Sequence, residues 1–130
     1  MSQESMKQHG AFSWNELVTT DVAAAKAFYG ELLGWTLHDI DAGGMTYTMV
    51  KAGDREVGGM MAMPAETQGM PSAWGSYVTV DNVDSRVGRA QSLGGKIIVP
   101  PRDIPGVGRF AIIADPQGAT LSLITYIKKD

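Results

Sequence analysis

Hydrophobic and polar positions recur with a period of two in some stretches of the chain and with helical spacing in others. Residues 12–19 alternate between two sides, which is typical of a β-strand. Residues 22–33 carry apolar side chains at helical spacing, which predicts an amphipathic helix. Thr20 or Asp21 is expected to cap the start of this helix, and Gly34 to end it.

A weaker copy of this pattern returns in the second half of the chain at a constant offset. Asp21 matches Asp81, Gly34 matches Gly94, and Trp14 matches Trp74, with no gap needed between them. A repeat at fixed offset indicates two copies of one module, so we expect Asp81 to cap the second helix. Further strands are predicted at residues 35–41, 45–51, 57–63, 74–80, 96–99, 109–114 and 120–127.

The order of predicted elements is βαβββ in both copies. The chain therefore reads as a single domain with a flexible tail (1–10), a first module (11–63), a linker (64–73) and a second module (74–127). The proline-rich residues 100–108 are expected to form a rigid loop. Two such modules in a pseudo-twofold arrangement predict an α+β protein with an open, cup-like mixed β-sheet barrel, whose concave face suits a small ligand.

Composition narrows the possible partners. The 130 residues are 44% hydrophobic and carry a formal charge of −3, which gives no basic surface for a nucleic acid. The chain has no cysteine, so disulfides, thiolate metal sites and cysteine nucleophiles are excluded. No apolar run is long enough for a membrane span, and the N-terminal residues lack a signal-peptide pattern. We expect a soluble, cytoplasmic protein.

Two motifs carry a resemblance to a known family. AKAFYGELLGW at residues 25–35 and DPQGATLSL at residues 115–123 resemble the vicinal oxygen chelate superfamily, which includes glyoxalase I, bleomycin-resistance proteins and extradiol dioxygenases. The resemblance covers about residues 12–126. It implies a small-molecule ligand, a homodimer and, in the metalloenzymes, a divalent metal held by four inward-facing side chains.

Those four positions are carried over to this chain by the resemblance alone. They fall at Trp14 or Glu16, at Gly58 or Gly59, between Trp74 and Ser76, and at Ser122. Serine and tryptophan are poor ligands for transition metals and glycine offers no side chain, so Glu16 is the only credible ligand. His9, in the tail, and His38, on the second strand, lie away from these positions. We expect no tightly bound metal and no cofactor.

The predicted ligand-binding residues are Trp14, Glu16, Met60, Trp74, Tyr77, Arg102, Phe110 and Ser122. The indole rings of Trp14 and Trp74 either fill the core or form walls for a planar ligand. Glu16, the one catalytic candidate, is a general base, a recognition group, or the partner of Arg109 or another cation. Met60 either packs in the core or lines the pocket. Arg102 and Arg109 flank the proline-rich loop, where a guanidinium is either solvated or binds a ligand carboxylate.

Two functions follow from this sequence. The first is a glyoxalase/bleomycin-resistance-like protein that binds a small, partly apolar molecule in the cup between the modules, without a tightly bound metal. The alternative is a metal-dependent or metal-free lyase, isomerase or dioxygenase that uses Glu16. The GVG at residues 106–108 is not followed by a helix, so it does not predict a phosphate site.

Overall fold

The computed structural model of the protein describes residues 8–42, 44–104 and 106–127. It contains eight strands and two α-helices among these residues, which confirms the α+β class and the repeated βαβββ order. The helices in this part of the chain are too short to cross a membrane. The described residues divide into two compact units: the first lies within Trp14–Gly75, and the second contains residues 8–13 together with the described residues from Ser76 to Ile127.

Each unit contributes one copy of the repeated order. The elements of the first copy are β1 (Phe12–Thr19), α1 (Val22–Leu33), β2 (Thr36–Ala42), β3 (Met45–Ala52) and β4 (Arg55–Ala62). The elements of the second copy are β5 (Ala73–Thr79), α2 (Val83–Ser92), β6 (Lys96–Ile104), β7 (Gly108–Ala114) and β8 (Thr120–Tyr126). A single 3₁₀ turn, Ala65–Thr67, lies in the segment predicted as the linker.

The first unit is built on strands in the order β2-β3-β4-β1, in which β1 pairs with β4 in parallel and the other pairs are antiparallel. Leu17, Val50 and Met60 form its buried core, and Ala25 and Tyr29 of α1 pack against them. The predicted helix boundaries are confirmed. The Asp21 side chain accepts a hydrogen bond from the backbone N–H of Ala24, and Gly34 ends the helix at φ 70°.

The second unit has the matching order β5-β8-β7-β6, with β5 and β8 parallel. Its core lies between α2 and one face of these strands. The buried members of this core are Val80, Val83, Val87, Ala111 and Leu123.

The cap predicted for α2 is wrong by one residue. Asn82, not Asp81, is the N-cap, since its side chain accepts from the backbone N–H of Ser85 at 3.0 Å. Asp81 instead accepts two hydrogen bonds from the guanidinium of Arg86, at 2.9 and 3.1 Å. This hydrogen-bonded pairing lowers the pKa of Asp81 to about 2, against a smaller opposing effect of desolvation.

The prediction that residues 100–108 form a loop is also wrong for its first half. β6 continues through Pro100 and Pro101 to Ile104. Proline lacks a backbone N–H, so a strand tolerates it only where no ladder bond is needed, as at an edge or a bulge. Both conditions hold here, because β6 ends the strand order and its pairing with β7 shifts between Val99 and Arg102.

Candidate functional site

One face of β1 carries the polar group that is the strongest candidate for function. Leu17 points toward α1, where it joins the core of the first unit. Its neighbour Glu16 must point to the opposite face, because successive side chains of a strand alternate. The side chain of Trp14 is on the same face as Glu16, as predicted, since both bond to the same hydroxyl group of Tyr47.

Trp14, Tyr47 and Glu16 form a directed chain of hydrogen bonds. The indole N–H of Trp14 donates to the Tyr47 hydroxyl at 2.9 Å, and that hydroxyl donates to Oε2 of Glu16 at 2.8 Å. Glu16 is only 6% exposed, whereas the two aromatic residues are half-buried. A carboxylate this deeply buried is costly without hydrogen bonds, so the bond from Tyr47 stabilises it.

Gly59 makes room for this arrangement. It lies directly beside Glu16 in the parallel pairing of β1 with β4. A Cβ atom added at Gly59 would overlap the hydroxyl end of the Tyr47 ring. The space that a side chain at residue 59 would fill is therefore filled by a side chain from β3.

The second unit brings four of the predicted residues to one face. Tyr77 lies beside Ser122 in the pairing of β5 with β8, and Arg102 lies beside Phe110 in the pairing of β6 with β7. Residues in register share a face, and the pairings of β7 with β8 place Phe110 on the face of Ser122. The Tyr77 and Phe110 rings are in contact, with centroids 6.3 Å apart. This face is opposite to the one covered by α2, since Leu123 belongs to the core.

The structure corrects the alignment of the two copies in their first strands. Glu16 pairs with Gly59 in the first unit, and Tyr77 pairs with Ser122 in the corresponding parallel pair of the second. Glu16 therefore corresponds to Tyr77, whereas the repeat in the sequence matches it with Ser76. The N-caps are shifted in the same way, since Asp21 corresponds to Asn82 and not to Asp81. Because a slip of one residue reverses the face, the alignment by sequence identity placed Trp74 on the wrong face of β5.

Trp74 consequently does not join Trp14. Trp74, Ser76 and Val78 are two residues apart along β5, so their side chains point to the same face. Val78 packs against the core that contains residues of α2, so this face is the helix side of the strand. The indole N–H of Trp74 donates to the Tyr29 hydroxyl of α1 at 3.1 Å. Its ring also meets those of Tyr29 and Trp35 edge-on, at centroid distances of 5.5 and 5.7 Å. Trp74 belongs to an aromatic cluster beside α1.

Met60 and Arg109, two other candidates, have contacts that stabilise the fold. Met60 is fully buried in the core with Leu17 and Val50, on the face of β4 opposite to that of Gly59. Arg109 donates to Asp84 at 2.7 and 3.0 Å and to Asp103 at 3.0 Å. This pairing lowers the pKa of Asp84 and raises that of Arg109. The guanidinium of Arg109, on β7, thus bonds to side chains of both α2 and β6.

The divalent metal implied by the resemblance does not fit the residues present. Beside Glu16 stands Gly59, whose side-chain space is taken by Tyr47, and the matching pair of the second unit is Tyr77 and Ser122. Within the described residues, no group of three or more His, Cys, Asp or Glu side chains is placed to hold a metal ion. His9 accepts a hydrogen bond from the backbone of Asp81, and His38 is exposed on β2.

Two βαβββ units, each with one helix and a mixed set of strands, define a paired-module α+β protein. The model of the Glyoxalase/Bleomycin resistance protein/Dioxygenase superfamily matches residues 11–123, and the chain belongs to that superfamily. This confirms the resemblance drawn from the two sequence motifs.

Several relatives give the family context. The chain is 42% identical over 120 residues to "Putative glyoxylase CFP32" of Mycobacterium bovis, covering 92% of this chain and 45% of that protein. It is 34% identical over 129 residues to "Anthracycline biosynthesis protein DnrV" of Streptomyces peucetius, covering 88% and 46%. It thus spans about half the length of either relative. Methylmalonyl-CoA epimerase from Mycobacterium tuberculosis shares the fold, with a TM-score of 0.62, 17% identity and coverage of 92% and 89%.

Sequence reasoning did not identify Tyr47. The alternation of β3 places it opposite the buried Thr48 and Val50, but alternation alone does not show which residue it reaches. The signal that was available is the pair of glycines at residues 58 and 59, because glycine inside a strand often marks the close approach of another group. The structure shows that this group is the phenol of Tyr47.

Proposed function

We propose that the protein binds a small, partly apolar molecule at the Glu16 face of β1, without a tightly bound metal. The observation that carries this proposal is the hydrogen-bonded group of Trp14, Tyr47 and Glu16. It combines a buried carboxylate with two aromatic rings. Ligand sites are typically apolar surfaces with a few fixed polar groups, and this group has that composition.

The buried carboxylate supports binding over a purely structural role. Glu16 is 6% exposed on a strand whose helix-facing side already supplies the core with Leu17. An apolar residue of similar size would avoid the desolvation cost of the carboxylate. A charged group kept in such a position, beside aromatic rings, is a candidate for recognising a polar group on a ligand.

A planar aromatic compound with hydroxyl substituents is the ligand class that we favour. The rings of Trp14 and Tyr47 are half-buried, and aromatic faces stack well on planar ligands. The carboxylate of Glu16 accepts hydrogen bonds from hydroxyl groups. A relative with 34% identity is named for anthracycline biosynthesis, and anthracyclines are planar, hydroxylated aromatic molecules.

Metal analysis and ligand titration test this function together. Protein purified without chelators is expected to contain far less than one equivalent of divalent metal and to bind a fluorescent anthracycline. Glu16→Gln should weaken that binding by about tenfold to a hundredfold, since hydrogen bonds to a charged group contribute about 1.5–3 kcal/mol. Glu31→Gln, at an exposed glutamate on α1, is the matched control and should bind like the wild type.

Each part of the proposal can fail separately. A stoichiometric metal that a chelator removes would contradict the metal-free site. Failure of the wild-type protein to bind the anthracycline would contradict the proposed ligand class. Turnover of a 2-oxoaldehyde–thiol adduct on addition of Ni²⁺ or Zn²⁺, lost in Glu16→Gln, would favour the enzyme alternative.

We also propose that the protein forms a homodimer through α1. No residue of this helix is buried, and Phe28, Leu32 and Leu33 are 60%, 62% and 51% exposed. A contiguous exposed apolar surface commonly marks a site of association.

Light scattering coupled to size-exclusion chromatography tests the dimer. The wild type should elute as a dimer, whereas Leu32→Glu should elute as a monomer because it places a charge within the apolar surface. Ala23→Glu adds the same charge at another exposed position of α1 and should leave the dimer intact. A wild-type protein that is monomeric at all concentrations would contradict this proposal.

A further inference from the structure

The Tyr47 side chain reaches across a neighbouring strand. Tyr47 lies on β3, whereas Trp14 and Glu16 both lie on β1, and β4 separates these strands in the order β2-β3-β4-β1. The phenol therefore passes over β4 to reach its partners on β1. It crosses at Gly59, where any Cβ atom would overlap the hydroxyl end of the ring. The absence of a side chain at residue 59 is what permits the contact.

The hydrogen-bond direction through Tyr47 is fixed by its partners. An indole N–H donates and never accepts, so the Tyr47 oxygen must be the acceptor of the bond from Trp14. A hydroxyl has one proton, and the bond to Oε2 of Glu16 uses it. The phenol thus links the indole and the carboxylate in one orientation. Rotation of any one of the three side chains breaks at least one bond.

We propose that Tyr47 is the positioning and specificity-determining residue of the Glu16 site. Its hydroxyl holds the Glu16 carboxylate and the Trp14 indole in the arrangement that meets a ligand, and its ring closes the space beside Glu16 that a side chain at residue 59 would otherwise occupy. The inference rests on the proposed binding function, and it assigns to one residue both the shape of the site and the placement of its polar group.

The competing explanation is that Tyr47 fills space only. The two roles separate in Tyr47→Phe, which keeps the ring over Gly59 but removes the hydroxyl. If the ring alone matters, this variant should bind ligand like the wild type. If the hydroxyl positions Glu16 and Trp14, the variant should fold normally, lose the bond to the Trp14 indole and bind ligand more weakly.

The chain provides a matched control in the first unit. Tyr29 also accepts a hydrogen bond from an indole N–H, that of Trp74, at 3.1 Å. Tyr29→Phe therefore removes the same chemical group from a tyrosine–tryptophan pair on the helix side of the unit. The protein has three tryptophans, so its indole N–H groups should give three signals in a ¹H–¹⁵N spectrum, which single Trp→Phe variants assign.

We expect Tyr47→Phe to shift the Trp14 indole signal and leave that of Trp74 in place, and Tyr29→Phe to do the reverse. With a fluorescent anthracycline as the probe, Tyr47→Phe should raise the dissociation constant about fivefold or more, the range expected for one lost hydrogen bond. Tyr29→Phe should change it less than about twofold.

The outcomes distinguish this inference from the function on which it rests. An unshifted Trp14 indole signal in Tyr47→Phe would overturn the positioning role whether or not any ligand binds. A shifted signal with unchanged anthracycline affinity would overturn the specificity role and leave the proposed function standing. If the wild type does not bind the anthracycline while Tyr47→Phe shifts the Trp14 signal, the proposed ligand class fails and the positioning of Trp14 by Tyr47 stands.

Discussion

Gly59→Ala is expected to lower the free energy of unfolding by about 3 kcal/mol. The added methyl group would overlap the Tyr47 ring, and inserting a methylene into a filled site costs about 1–3 kcal/mol. Displacing the ring also removes the hydroxyl that donates to Glu16, which is 6% exposed. Loss of a partner by a buried polar group costs about 1–3 kcal/mol more. Urea unfolding followed by circular dichroism measures the sum.

A double-mutant cycle shows whether Tyr47 is the cause. In a Tyr47→Ala background the ring is absent, so Gly59→Ala should then cost less than about 1 kcal/mol, and the two substitutions should be strongly non-additive. Gly88→Ala, at an exposed position of α2 with open space around its Cβ, is the control and should stabilise the protein by up to about 1 kcal/mol. Equal costs of Gly59→Ala in both backgrounds would show that the clash lies elsewhere.

The end of the first helix could be predicted to the residue, and its start to within one residue, because its signals are local. Asp21 and Gly34 each act within one turn of α1, through a hydrogen bond and a left-handed backbone conformation. The βαβββ order was also predicted, since the turns between strands carry their own glycine signals. Such features depend only on residues close together in the sequence, so the sequence is enough to predict them.

The repeat in the sequence could not predict which side chains of β5 lie on which face of the strand. Asp21 and Asp81 are identical, and so are Trp14 and Trp74, and these matches favoured an alignment without gaps. Strand pairing and capping instead follow an alignment shifted by one position, in which Tyr77 corresponds to Glu16. Because a slip of one residue reverses the face of every side chain, a chance identity was enough to misplace Trp74.

The composition of the candidate site depends on long-range pairing, which sequence patterns do not show. Glu16 is predicted from the family resemblance, which places it at an inward-facing position of β1 where no other residue of the set is a credible ligand. Tyr47 was missed because its partner is two strands away in the order β3-β4-β1. Only the pairing of Glu16 with Gly59 shows that the ring can cross at that point. Side chains that bridge non-adjacent strands therefore require the structure.

Gly108→Ala is expected to destabilise the second unit at least as strongly. Gly108 is buried at the start of β7, and a Cβ atom there would overlap the backbone carbonyl oxygen of Thr125 on β8. It would also lie 2.9 Å from the Cα atom of Tyr126, the residue in register with Gly108. A side chain can rotate away from an added methyl group, but paired backbone cannot. The strands must separate locally.

The expected cost is about 3 kcal/mol, at the upper end for overpacking, which corresponds to a fall in melting temperature of about 10 °C for a domain of this size. Thermal unfolding of Gly108→Ala beside Gly88→Ala measures it. Because β7 pairs with both β6 and β8, amide hydrogen exchange in the variant should quicken along all three strands and remain slow in β3 and β4. A melting temperature within about 2 °C of the wild type would show that the approach of β7 to β8 is not what requires glycine at this position.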